Sequence, residues 1–183
     1  MEEKKLVFIC GFMGCGKTTQ GKKLAKEMGY YFIDLDDYIS DEYDKTITDL
    51  FQEVGEEEFR KIETKALQEC INDNLKALIA TGGGTPCFND NLKLMKASGK
   101  LIYLKMDPES LFTRLFNAKK DRPLIKDKAD EEMLLYIENL LKVREPFYKF
   151  SIYNNISSSA LSLINGLSFL ALNNLVNNDS GSI

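Results

Sequence analysis

A glycine-rich segment near the start of the chain constrains the fold more than any other feature. Residues Gly11–Thr18 read GFMGCGKT, which fits the pattern G-x-x-x-x-G-K-[S/T] at every specified position. An apolar run that predicts a strand precedes it, and a stretch with helical periodicity follows. In this setting backbone N–H groups surround phosphate oxygens, Lys17 reaches the β- and γ-phosphates, and Thr18 ligates Mg²⁺. We expect a loop that binds ATP or GTP with magnesium, and phosphoryl transfer as the reaction class.

The rest of the chain alternates short apolar runs with helical stretches, which predicts an α/β fold. Because most runs are apolar on both faces, they predict a parallel sheet covered by helices on both sides. The predicted strands are Leu6–Cys10, Tyr31–Leu35, Ala77–Ala80, Leu101–Met106 and Ser151–Ile156. The predicted helices cover 17–28, 37–53, 56–75, 89–97, 108–117, 130–145 and 158–176. The chain has 183 residues and neither a repeat nor a low-complexity linker, so we expect one domain over 1–183.

The composition excludes several classes of function. Histidine is absent, which removes every mechanism with an imidazole base and the commonest zinc ligand. The net charge is 24 − 28 = −4 and the basic residues are scattered, so we expect no nucleic acid partner. The four cysteines form no C-x-x-C pair, and no apolar stretch is long enough for a signal peptide or a membrane helix. We therefore expect a reduced, cytoplasmic protein with no membrane partner. Neither a D-x-x-G nor an N-K-x-D element occurs, which disfavours a GTPase switch.

Two aspartates lie at the end of the second predicted strand. In the sequence FIDLDD, a period of two places Asp34 and Asp36 on the same side of the strand. Open α/β sheets bind ligands at the carboxyl ends of their strands. One aspartate could hold Mg²⁺ through water, and the other could accept a proton from a substrate hydroxyl. The alternative is that both cap a helix that begins near Asp37.

An arginine and three consecutive glycines indicate a second binding site. Arg60 has Glu63 one helical turn later, which could orient the guanidinium for a bidentate anion such as a carboxylate; an ordinary surface ion pair is the alternative. Gly82, Gly83 and Gly84 follow the third predicted strand, where the lack of side chains lets a ligand approach the backbone.

Two further arginines stand in positions that suit an anion. Arg144 continues the apolar stripe of the predicted helix 130–145, so it either points into a site or pairs with the helix dipole before Pro146. Arg122 lies in the charged segment 118–130, which could be a mobile lid or a solvated loop.

The motifs, taken in order and spacing, resemble the shikimate kinase family. They are GFMGCGKT, FIDLDD, EEEFRKIE, TGGGT, DRPLI and VREPFY, and the resemblance covers about residues 5–155. Many kinases share the first motif, whereas the set together is specific. The resemblance implies the P-loop nucleoside-monophosphate-kinase-like fold, with a five-stranded parallel sheet in the order 2-3-1-4-5. It also implies transfer of the γ-phosphoryl group of ATP to the 3-hydroxyl of shikimate.

The resemblance assigns roles on the nucleotide side. Lys17 and Arg122 would stabilise the migrating phosphoryl group, and Arg114 would stack on adenine. Mg²⁺ would bind Thr18 and, through a water, Asp34. The nucleotide-binding set implied is Gly14, Cys15, Gly16, Lys17, Thr18, Thr19, Arg114 and Arg122.

On the acceptor side, the resemblance implies that Asp36 holds the ring hydroxyls and serves as the base. Arg60 and Arg144 would clamp the carboxylate, and Gly82–Gly84 would line the pocket. The substrate-binding helices would span about 35–62, and 118–130 would be a lid that closes over ATP. We expect a monomer whose small-molecule substrates are shikimate and ATP.

The chain departs from the family pattern after the last predicted strand. The family usually has an Asp/Thr-plus-Pro adenine loop there, whereas this chain reads IYNNISSSA, which leaves adenine contacts near Asn154 and Asn155 open. The uncharged segment 158–176 could cover the sheet or meet a partner subunit.

Cys15 supplies a further hypothesis, because it lies in the phosphate loop at a helix N-terminus, a setting that favours a reactive thiolate. Its oxidation or alkylation would then block ATP binding; an inert small residue is the alternative.

Two other functions remain open on the sequence. One is another small-molecule kinase, for gluconate or a nucleoside monophosphate. The other is a catalytically silent nucleotide-binding regulatory module, against which the intact Lys17, Asp36 and Arg122 argue.

Overall fold

Five parallel strands form a single sheet. The structure, a computed structural model, describes residues 5–117, 130–149 and 153–157, the last of these by backbone alone. The sheet has the order β2-β3-β1-β4-β5, as the resemblance to the family implied. The strands are β1 (Lys5–Cys10), β2 (Tyr31–Asp34), β3 (Lys76–Ala80), β4 (Gly99–Lys105) and β5 (Tyr153–Ser157). All five predicted strands are confirmed, with ends that shift by at most a few residues.

The first strand is the centre of the sheet. β1 pairs in parallel with β3 on one side and β4 on the other, so that Ile9 stands opposite both Ala80 and Ile102. Residues 6–10 are all buried, as expected for a strand covered on both faces. The phosphate loop therefore leaves the sheet at its middle.

Helices cover the sheet on two sides. They are α1 (Lys17–Met28), α2 (Leu35–Tyr43), α3 (Ile47–Asp73), α4 (Asn91–Ser98), α5 (Pro108–Asn117) and α6 (Asp130–Tyr148), with a short 3₁₀ turn at Thr85–Cys87. Alternate residues of β1 point to different cores. Val7 and Ile9 pack with side chains of α1, α5 and α6, whereas Leu6 and Phe8 pack with those of α2, α3 and α4. The result is the three-layer arrangement that the alternation predicted.

The single helix predicted over 37–53 is wrong. The chain forms α2, leaves it at the C-cap Asp44 in a left-handed conformation with φ 50°, and then begins α3. Thr46 caps α3, because its hydroxyl oxygen accepts from the backbone N–H of Asp49 at 3.1 Å. The spacing of Thr46 and Asp49 is typical of a helix start. The hydrophobic periodicity over 37–53 did not show it.

The helix predicted over 56–75 is present as the second part of α3. Gly55 has φ 77° and ψ 171°, so it kinks the element between its two helical parts. Glycine adopts this conformation without the clash that a Cβ would cause.

The helix predicted over 130–145 extends further than expected. α6 continues through Pro146 to Tyr148, and this extension adds a turn that carries a buried tyrosine. The predicted helix 158–176 lies outside the described residues. Within the described part of the chain, no helix combines the length and apolarity needed to span a bilayer.

Candidate active site

The phosphate loop joins β1 to α1 through backbone conformations that favour glycine. Gly14 and Gly16 have φ of 81° and 99°. A Cβ on Gly14 would lie 2.8 Å from the Leu115 side chain, so α5 packs directly against the loop. No acidic residue occupies the first turn of α1, and the partial positive charge of that helix end is therefore left for an anion.

Lys17 folds back over the loop from which α1 begins. Its ammonium donates hydrogen bonds to the carbonyl oxygens of Gly11, at 3.0 Å, and Phe12, at 3.1 Å. The cation thus lies beside the loop where the sequence motif requires it.

Thr18 connects the phosphate loop to the end of β2. Its hydroxyl donates to Asp34 Oδ2 at 2.6 Å. A hydroxyl and a carboxylate oxygen are the hard ligands that Mg²⁺ prefers, and Mg²⁺ is usually held by one or two protein groups plus substrate phosphates. No group of three or more acidic or thiol side chains suited to a metal occurs among the described residues.

The predicted strand-like alternation of Asp34 and Asp36 is wrong. β2 ends at Asp34, which caps α2 by accepting from the backbone N–H of Asp36 at 3.1 Å. Asp36 therefore lies in the first turn of a helix, and the capping alternative describes Asp34 correctly. The turn nevertheless directs both carboxylates toward the carboxyl edge of the sheet, because Asp36 approaches Gly82 at the end of β3.

Asp36 has the most perturbed carboxyl group of the site. Burial and, after it, the charge of Asp34 raise its pKa from 3.8 to about 6, and the charge of Lys17 opposes this shift. A carboxylate with such a pKa is ionised at neutral pH and is a better proton acceptor than an exposed aspartate.

The three glycines after β3 each face a charged side chain. A Cβ on Gly82 would lie 2.7 Å from Glu63 Oε1 and 3.0 Å from Asp36 Oδ1. One on Gly83 would lie 3.6 Å from Arg144 Nη1, and one on Gly84 would lie 2.9 Å from both terminal nitrogens of Arg60. The glycines let four charged groups from three helices converge on one loop.

The predicted contact between Arg60 and Glu63 is confirmed, but it is not a surface pair. Arg60 Nη1 donates to Glu63 Oε2 at 2.9 Å, and the Glu63 side chain is only 1 % exposed. The other oxygen of Glu63 accepts from the hydroxyl of Thr85 at 2.6 Å. The carboxylate is thus held on both sides and fixes the direction of the guanidinium.

Arg144 lies on the inner side of α6, as one of the two sequence alternatives predicted. Met133 and Ile137 of the same stripe are fully buried, and Arg144 is half-buried near Gly83. One turn later, the Tyr148 hydroxyl donates to the carbonyl oxygen of Gly83 at 2.5 Å. This bond attaches the end of α6 to the glycine loop.

Arg114 and Cys15 meet at the phosphate loop. Arg114 Nη1 lies 3.5 Å from the carbonyl oxygen of Cys15, and it would lie 3.3 Å from a Cβ on Gly16. The Cys15 side chain is completely buried. Its burial argues against an accessible thiol and favours the alternative of an inert residue.

Several predicted residues either take no part in these contacts or lie outside the side chains that the structure describes. Thr19 lies exposed in the first turn of α1. Arg122 falls outside the described residues, as does the proposed lid 118–130 apart from Asp130, with which α6 begins. Asn154 and Asn155 belong to β5, of which only the backbone is described.

Thr85 and Tyr148 are the polar residues that sequence reasoning missed. Tyr148 follows Arg144 by four residues, so the helical spacing could have placed both on one side. Thr85 ends the TGGGT motif, but nothing near it in the sequence indicated its bond, because its partner Glu63 lies 22 residues earlier in the chain.

Comparison with known proteins points to one family. The family model for shikimate kinase matches residues 13–163. The shikimate kinase of Azobacteroides pseudotrichonymphae is 49% identical over 142 residues, 78% of this chain and 84% of that protein. That of Parabacteroides distasonis is 49% identical over 144 residues, 79% of this chain and 83% of that protein.

Solved structures give the same result. A shikimate kinase from Bacteroides thetaiotaomicron superposes with a TM-score of 0.80 at 37% identity, covering 89% of this chain and 97% of that one. A shikimate kinase from Acinetobacter baumannii, solved in complex with shikimate, gives a TM-score of 0.79 at 32% identity and covers 94% and 96% of the two chains.

Proposed function

The chain belongs to the shikimate kinase family, and from this premise we propose that it transfers the γ-phosphoryl group of ATP to the 3-hydroxyl of shikimate with Asp36 as the base. One observation carries the proposal. A half-buried carboxylate with a raised pKa and two arginines converge on a single glycine loop, beside a phosphate-binding loop. This is the arrangement that a hydroxylated carboxylic acid needs as a phosphoryl acceptor.

On the nucleotide side, the phosphates of ATP lie against the loop Gly11–Thr18 and the N-terminus of α1. Binding exchanges the bonds of Lys17 to Gly11 and Phe12 for bonds to phosphate oxygens. The ammonium then stabilises the charge that develops on the transferring group. Arg122 adds a second cation in this proposal, on the basis of the sequence motif alone.

Thr18 and Asp34 are the residues that would hold Mg²⁺. The ion would neutralise phosphate charge during transfer. Support comes from the adjacency of a hydroxyl and a carboxylate at 2.6 Å, next to the loop that binds the phosphates.

On the acceptor side, Arg60 and Arg144 bind the carboxylate of shikimate. The glycine loop lets the ring approach the backbone, which orients the ring relative to Asp36. Asp36 accepts the proton of the attacking hydroxyl, since its carboxylate is ionised at neutral pH and half-buried.

We extend the proposal to the setting of the enzyme. It acts as a single-domain monomer in the cytoplasm, with ATP and shikimate as its small-molecule partners and with neither nucleic acid nor membrane. The segment 118–130 closes over ATP and excludes water, which favours transfer over hydrolysis. The charge of −4 and the scattered basic residues support the absence of a nucleic acid partner.

The test measures ADP release from MgATP with shikimate, quinate, gluconate and AMP as separate acceptors. We expect stimulation by shikimate that is far above that by the other three. Stimulation by gluconate or AMP instead would identify another small-molecule kinase. ATP binding without stimulation by any acceptor would favour a regulatory module.

A further inference from the structure

We propose that Phe88 is a positioning residue that holds the guanidinium of Arg60 by its flat face. The inference rests on the proposed role of Arg60 in binding the shikimate carboxylate. Arg60 Cζ lies 4.2 Å from the centroid of the Phe88 ring. The neighbouring Phe59 ring is further away, at 5.4 Å. A cation this close to an aromatic face is attracted by the quadrupole of the ring.

The contacts of Arg60 divide between the edge and the face of its guanidinium. At the edge, Nη1 donates to Glu63 at 2.9 Å and Nη2 donates to Glu56 at 3.2 Å. Such bonds fix the group within its own plane. The position of Arg60 Cζ over the Phe88 ring adds a contact outside these two hydrogen bonds. We infer that the ring opposes tilting of the guanidinium, which two hydrogen bonds along one edge do not prevent.

The face contact has a particular advantage at a carboxylate-binding site. A guanidinium has five N–H donors, and two of its nitrogens already bond to glutamates. Arg60 Nε is buried without a hydrogen-bond partner. Because stacking on Phe88 uses no donor, it orients the cation while the remaining N–H groups stay available to an incoming carboxylate.

The segment that carries Phe88 is itself attached to α3. Asn89 adopts a left-handed conformation with φ 49°. Its side-chain amide donates to the carbonyl oxygen of Arg60 at 3.0 Å and to the hydroxyl of Thr64 at 3.2 Å. The backbone of Arg60 is thus held by Asn89 and its side chain by Phe88. These bonds hold the backbone next to Phe88 against α3, and so keep the ring and the cation on attached segments.

The first experiment replaces Phe88 by leucine, which keeps an apolar side chain but removes the aromatic face. We expect the KM for shikimate to rise by about threefold to tenfold, in line with a partly desolvated cation–π contact. The KM for ATP and kcat should stay within about twofold, because nothing near the phosphate loop changes. A KM for shikimate equal to that of the wild type would overturn the proposal.

Tyr30→Leu is the matched control. Lys76 Nζ lies 5.0 Å from the Tyr30 ring centroid, so this variant also loses an aromatic–cation contact, but at the opposite end of the sheet. Both KM values should match the wild type. An equal rise in the KM for shikimate in this variant would show that the effect of Phe88→Leu is general and not positional.

Two further measurements separate positioning from packing. Fluorinated phenylalanines at position 88 withdraw electron density from the ring face with little change of shape, so the KM for shikimate should rise stepwise with fluorine number. A KM for shikimate that does not change with fluorine number would contradict the proposal even if Phe88→Leu fails to fold. The methyl ester of shikimate, which lacks the negative charge, should be insensitive to Phe88→Leu, and equal sensitivity of ester and acid would also contradict it.

Arg60→Ala distinguishes failure of this inference from failure of the proposed function. If Arg60→Ala raises the KM for shikimate and Phe88→Leu does not, Arg60 binds the carboxylate without help from Phe88. If Arg60→Ala leaves that KM unchanged, the role of Arg60 fails and the inference about Phe88 fails with it.

Discussion

The phosphate loop and the acceptor site are built in different ways. The loop is one uninterrupted segment, Gly11–Thr18, and most of its binding groups are backbone N–H donors. The acceptor site collects side chains from α2, α3 and α6 around a second loop, Gly82–Gly84. A backbone site depends on local conformation, whereas a side-chain site depends on how distant elements pack. Substitutions on the acceptor side should therefore affect shikimate and leave ATP binding intact.

The largest effect is expected from Asp36→Asn. The amide has nearly the same shape but cannot accept the proton of the attacking hydroxyl. We expect kcat to fall by about 10²- to 10⁴-fold with the KM for ATP unchanged, measured by steady-state kinetics at saturating shikimate. A decrease below about fivefold would mean that Asp36 does not act as the base.

Arg144→Ala should produce the next largest change, which is a rise in the KM for shikimate and not in the KM for ATP. Loss of one charge-assisted hydrogen-bonding partner should raise the KM for shikimate by about tenfold to a hundredfold. Lys142→Ala is the control, because Lys142 lies on the same helix and is exposed. An increase in the KM for ATP as large as that for shikimate would contradict the claim that the two regions bind their substrates independently.

The dependence of activity on pH follows from Asp36. Its pKa is raised from 3.8 to about 6, so the base is ionised above that pH and protonated below it. We expect kcat/KM for shikimate to be level above about pH 7 and to fall about tenfold per pH unit below the pKa. Calorimetric binding of nucleotide should vary much less over the same range.

The same shift has a consequence for stability. The unfolded chain releases this proton near pH 3.8, whereas the folded chain retains it to about pH 6. The stability contributed by Asp36 therefore falls as pH rises between these values and stays lower above them. Asp36→Asn should raise the Tm at pH 7. An unchanged or lower Tm would argue against a half-buried carboxylate whose ionised form destabilises the fold.

The smallest effect is expected where the two regions touch. A Cβ on Gly83 would lie 3.2 Å from the backbone nitrogen of Met13, in the phosphate loop, and the Tyr148 hydroxyl holds the carbonyl of Gly83. Tyr148→Phe removes only that hydrogen bond. We expect increases of about twofold to fivefold in the KM for both substrates, since a single neutral hydrogen bond contributes about 1 kcal/mol. A rise in the KM for shikimate alone would mean that the glycine loop contributes to the acceptor site and not to nucleotide binding.

The contrast between the regions also explains what could be predicted from the sequence. The phosphate loop is a contiguous pattern, and the contact between Arg60 and Glu63 follows from helical spacing, so both were accessible. The position of Asp36 was misjudged because the side chain of Asp34 ends the strand and caps α2, and hydrophobic alternation carries no information about that change. Thr85, Phe88 and Tyr148 act through partners that are distant in sequence, which only the folded chain brings together.

The most direct test of the central claim is to identify the product. The protein is incubated with MgATP and shikimate, and the products are analysed by ³¹P NMR and mass spectrometry. We predict one phosphorylated shikimate, with phosphorus on the 3-hydroxyl, formed in equal amount to ADP. Release of ADP with inorganic phosphate and no phosphorylated shikimate would contradict the claim, because the two regions would then bind nucleotide without forming an acceptor site.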